Sequence, residues 1–129
     1  MTDIDGDAVA YRQALIDAET LVPRLDEDED DLLVELGREL LGEGLGFGSE
    51  DFDRARRFAA QWLSTHQESL RRQICATWSA EFADGKLGSR AVELATIIDA
   101  IDAAYGRPVV NVVAVILLQR GIAAFCGTT

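Results

Sequence analysis

The stretch from Pro108 to Cys126, PVVNVVAVILLQRGIAAFC, restricts what this chain can fold into more than any other. Arg107-Pro108 opens it, and proline suits the first turn of a helix because its missing N–H would have no partner there. Asn111, Gln119 and Arg120 are its polar members. At about 100° per residue they fall on different sides of the cylinder, so no wide polar face exists. Val109, Val110, Val112, Val113 and Val115 favour a strand, and periodicity alone cannot separate a buried strand from a buried helix. Length decides for a helix, and a helix apolar nearly all round belongs inside a bundle. A membrane span needs about 20 predominantly apolar residues. Here the unbroken run ends at Leu118, with Gln119 and Arg120 directly behind it, so a water-soluble chain without membrane insertion is expected.

The 129 residues suit a single domain, 1–129, large enough to bury about two thirds of its unfolded surface around one core. No basic start followed by an apolar run and a cleavage site is present, and a cytoplasmic location is the expectation. Cys75 and Cys126 both sit within apolar helical patterns, which predicts reduced core thiols packed as small hydrophobes.

Charge is distributed unevenly. Residues 1–53 carry 17 Asp and Glu against 3 Arg, whereas residues 54–129 carry 6 acids against 9 Arg and Lys. An acidic first half repels the phosphates of nucleic acid, so general DNA or RNA binding is not expected.

Hydrophobic spacing and capping signals predict helices at about 7–22, 29–41, 50–64, 66–83, 90–105 and 108–125. Asp5 or Asp7 is the expected first cap, and Pro23 ends that helix. Six consecutive acids, Asp26, Glu27, Asp28, Glu29, Asp30 and Asp31, predict a solvated connection running into the favourable end of the second helix. Leu32, Leu33, Leu36, Leu40 and Leu41 form its buried stripe, and Gly42 stops it. Ser49 caps a third helix lined inwardly by Phe52, Ala55, Ala59, Trp62 and Leu63. Ser64 with Gln67, and Thr65 with Glu68, are two overlapping capping boxes that predict a break there. The stripe nevertheless runs on in phase through His66, Leu70, Ile74, Thr77, Trp78 and Phe82, as one long helix would require. Ser89 caps the next helix, with Thr96, Asp99 and Ala103 outward. Gly121 interrupts the last, as a close helix crossing would demand.

Chemical motifs are few. Asp3, Asp5 and Asp7 alternate like calcium ligands, but the positions needing Gly and Glu are Ala8 and Ala14. The loop Gly42-Glu43-Gly44-Leu45-Gly46-Phe47-Gly48 lacks the Gly-Lys-Ser/Thr ending of a phosphate loop and is ringed by acids. His66 is the only histidine and reads as structural, without partners for a zinc set. Asp99 and Asp102, three apart, would share a helix side, yet amphipathicity makes that side a solvated one. Trp62, Trp78 and Phe82 are core by their spacing, with a ligand pocket as the rival reading.

No catalytic constellation, cofactor site or metal site is expected. The basic clusters Arg54, Arg56 and Arg57, at a helix start, and Arg71-Arg72 are the more informative surface feature, because arginine near a helix start opposes the dipole. They fit either local ion pairs or docking onto an acidic surface of a protein partner or another copy. The expected function is a non-catalytic interaction or assembly module using these arginines and the Asp26–Asp31 run. An acidic inhibitor covering a basic partner, and a helical regulator that binds a small molecule, are the alternatives. Compact six-helix modules of the death-fold kind are similar in size and charge polarity, a likeness of architecture without a residue motif.

Overall fold

The computed structural model describes residues 2–42, 48–81 and 89–126, apart from the side chains of residues 2–10, 49, 77–81 and 123. Among these residues the chain is all α. Six α-helices run in the order α1 (Thr2–Leu21), α2 (Glu29–Leu41), α3 (Ser49–Glu81), α4 (Arg90–Ala100), α5 (Arg107–Arg120) and α6 (Ile122–Cys126), with 3-10 turns at Val22–Asp26 and Ala103–Tyr105.

The predicted core helix is α5. Val109, Val110 and every residue from Val112 to Leu118 are buried, and Ala114, Val115 and Ile116 are wholly inaccessible. Helix α5 packs against α1, α2, α4, α6 and both 3-10 turns, while α1 pairs with α4 and α2 with α3. Gln119, on the end of α5, donates to the carbonyls of Leu25 (3.1 Å) and Glu27 (2.5 Å). It thereby satisfies backbone acceptors where the chain turns between α1 and α2.

Several boundaries differ from expectation. Helix α1 begins at Thr2, so Asp5 and Asp7 lie within it rather than capping it. Pro23 does end it, at the first turn of the 3-10 segment. Most of the acidic run is structured: Asp26 closes that segment, Asp28 caps α2 by accepting from the Asp30 N–H at 2.9 Å, and Glu29, Asp30 and Asp31 fill the first turn. Such a cap contributes about 1 kcal/mol. Leu41 is 37% exposed instead of buried.

The break expected at Ser64–Thr65 is absent. Helix α3 runs unbroken for 33 residues, about 50 Å. No glycine or proline interrupts it, and Ala55, Ala59, Leu63, Leu70 and Ile74 stay buried in one phase. Capping boxes matter only where helix hydrogen bonds are already lost, and here the stripe keeps them. Phe52, expected inside, is 38% exposed with the Arg38 guanidinium 5.6 Å from its ring centre. At the other end Trp78 and Phe82 lie outside the described side chains.

Helix α4 also stops early. Ile101 is extended and Asp102 caps the next 3-10 turn, accepting from Ala104 N–H at 2.9 Å. Thr96, expected outward, is buried, its hydroxyl donating to the Val92 carbonyl at 2.8 Å. Gly121 has φ +103° with open space around it, so it ends α5 in a conformation other residues adopt rarely and does not serve a close crossing. The close crossing is elsewhere, at Gly37 of α2 against Ala55 of α3.

Candidate functional site

All five candidate arginines belong to α3. Arg54 and Arg72 are 18 residues apart, five turns, and therefore lie on one line along the helix. Arg54, Arg57, Phe58, Gln61, Thr65, Glu68 and Arg72 are all exposed, defining the outer side of α3 opposite its buried stripe. The Arg54 and Arg57 side chains are 64% and 70% exposed, and Phe58 on the same side is 41% exposed.

Local ion pairs occupy much of this charge. Arg54 stands 3.8 Å from Asp51, while Arg56 and Arg57 both reach Asp53, at 2.5 and 3.0 Å. The hydrogen bond from Arg56 holds the Asp53 carboxyl below its ordinary range, with attraction from Arg57 adding to it and partial desolvation opposing it. Arg56 in turn is stabilised as a cation by Asp53 first and, more weakly, by Asp30 across the α2–α3 pair. These acids also offset the unfavourable dipole at the start of α3. Arg71 is committed inward: its Nε donates to the Phe125 carbonyl at 3.0 Å and its Nη1 reaches Glu68 at 3.3 Å.

The acidic run is likewise divided. Glu27 pairs with Arg24 at 2.8 Å, and Glu29 pairs with Arg120 of α5 at 2.5 Å. Arg24 also bonds Glu35, so one guanidinium joins the 3-10 turn to α2. Asp26, Asp28, Asp30 and Asp31 remain exposed around the start of α2.

Cys75 and Cys126 are not reduced thiols. They form a disulfide, with Cα atoms 5.6 Å apart, joining α3 to α6 across 51 residues of sequence. Each cysteine fits an apolar pattern, but the two stripes converge where α6 folds back on α3, which neither pattern shows alone.

His66 is structurally satisfied. Its Nδ1 donates to the Trp62 carbonyl at 2.8 Å, and its ring stacks on Trp62 at 4.1 Å, with Tyr105 edge-on to both. No group of three metal-ligating side chains occurs among the described residues. Asp99 and Asp102 do not form a carboxylate pair on one helix, because α4 ends between them.

A cleft of about 240 Å³ opens between α1, α4 and α5, away from Trp62. Ala14, Ile98, Ile101 and Val110 form its apolar wall. Its polar members are largely joined to each other, Gln13 to Asp17 at 3.1 Å and Asp17 to Arg107 at 3.5 Å. Asn111 also lines the cleft, and its Oδ1 is buried without a hydrogen-bond partner.

Comparison with known proteins gives no match. No family model, curated protein or solved structure matches the chain. The informative contacts that sequence reading did not assign are those of Gly37, Arg24, Gln119 and Arg120. Of these only Gly37 leaves a local signal, a glycine inside a leucine stripe facing the alanines of the next helix.

Proposed function

We propose that this chain is a non-catalytic interaction module that associates with another copy of itself through the outer side of α3. The observation that carries this reading is the exposure of Arg54, Arg57, Arg72 and Phe58 on that one side. Arginine and aromatic residues are the types enriched where interfaces concentrate their energy. The complementary surface is the exposed Asp26, Asp28, Asp30 and Asp31 around the start of α2. Joining unlike surfaces in this way is head-to-tail and builds rings or filaments rather than closed two-fold dimers.

Sedimentation velocity across a salt series tests it. Assembly at low ionic strength that dissociates steeply as salt rises is the expected outcome, since complementary exposed charges are screened over about 10 Å at 0.1 M. A monomer at every concentration and salt would remove self-association.

A further inference from the structure

We infer that the Cys75–Cys126 disulfide is a redox-sensitive latch that holds α6 over an apolar wall formed by α3 and α5. Four observations converge on it. Helix α6 is five residues long, packs against α3 and α5 among the described helices, and carries Cys126 at its end. It is joined to α5 through Gly121, which has φ +103° and whose carbonyl accepts from the Phe125 N–H at 3.1 Å. The Gly121 N–H donates to the carbonyls of Leu117 and Leu118, at 3.0 and 3.2 Å, so α5 is closed off before α6 begins and need not unwind when α6 moves. Beside α6 lies an open cleft of about 160 Å³, lined by Leu63, Leu70, Leu117 and Phe125 together with Ser64, Gln67 and Arg120, so α6 covers the apolar wall only in part.

Apart from the sulfur bridge, the attachment is slight. Ile122 is buried, and Phe125 is half-buried against the core; the Phe125 carbonyl accepts from Arg71, whose guanidinium lies 5.9 Å from its ring centre. Both cysteines are partly accessible, so a dithiol can reach the bridge. Its thiolate attacks one Sγ and releases the other as a thiol, giving a mixed disulfide. The second thiol of the reductant then displaces the protein sulfur. Two electrons and two protons pass to Cys75 and Cys126, and the reductant leaves as a cyclic disulfide. The freed α6 turns about Gly121 and uncovers Leu63, Leu70 and Leu117, which in the bridged form are 6%, 1% and 1% exposed.

Hydrogen–deuterium exchange of the full chain, oxidised and in dithiothreitol, tests the latch. Amides of residues 122–126 are expected to exchange at least about tenfold faster after reduction, over and above the common acceleration that a lower global stability gives the core amides of α1, α2, α4 and α5. The Cys75→Ser/Cys126→Ser variant should show the same local loss without reductant and no response to it. Unchanged protection at 122–126 would show that Ile122 and Phe125 hold α6 by themselves. Equal acceleration in every helix would make the bridge a staple of the whole fold. Either result overturns the latch.

Discussion

Gly37 of α2 and the backbone of Ala55 in α3 are in direct apposition: a Cβ placed on Gly37 would lie 2.5 Å from the Ala55 carbonyl carbon and closer still to its oxygen. The absence of one methyl group sets the spacing of the α2–α3 pair, and with Ala55 and Ala59 wholly buried the two helices meet through small residues.

Gly37→Ala is therefore expected to destabilise the fold although alanine is the better helix former by about 1 kcal/mol. The obstructing atoms are backbone, which cannot rotate away, so the helices must separate. Overpacking of this kind costs about 1–3 kcal/mol. A net loss of roughly 1 kcal/mol in urea denaturation is the expected outcome, and a gain in stability would mean that the crossing is looser than described.

Leu117→Asp should abolish cooperative unfolding. Leu117 is 1% exposed in the last turn of α5, and a carboxylate there would be buried among valines and leucines. Circular dichroism on heating checks this directly; a retained sharp transition would place the core elsewhere.

Removing the disulfide acts on the unfolded state. Closing a 51-residue loop restricts the denatured chain by about 4 kcal/mol in the loop-entropy treatment. The Cys75→Ser/Cys126→Ser variant is expected to lose up to about that amount in urea and still fold, because domains commonly have about 5–15 kcal/mol. An unchanged denaturation midpoint would show that the bridge contributes nothing to stability.

Asp53 gives a pH signature. Its carboxyl is held below the ordinary range chiefly by Arg56, so the stabilisation is complete above the unfolded-state value and is lost as pH falls through the folded one. Arg56→Gln should move the Asp53 titration, followed by NMR, upward toward an ordinary carboxylate. No movement would mean that Arg57 or solvent sets it instead.

Reversing Arg54 and Arg57 together to Glu leaves the fold intact, since both side chains are mostly exposed. Association, measured by sedimentation at low salt, is expected to disappear. Loss of helicity in step with loss of association would contradict a surface role.

The linear chain by itself determined the helical class, the burial of Val109, Val110 and Val112–Leu118 and the span of α2, because these follow from residue spacing, proline position and capping within one or two turns. It did not determine whether α3 continues past Ser64, since capping boxes and an unbroken stripe are both local signals and only packing along the full length decides between them. The Cys75–Cys126 bridge, the Gly37–Ala55 crossing and the pairing of Glu29 with Arg120 join residues 18 to 91 positions apart. Periodicity reports which side of a helix is buried but not which helix faces it, so those partnerships exist only once the helices have docked.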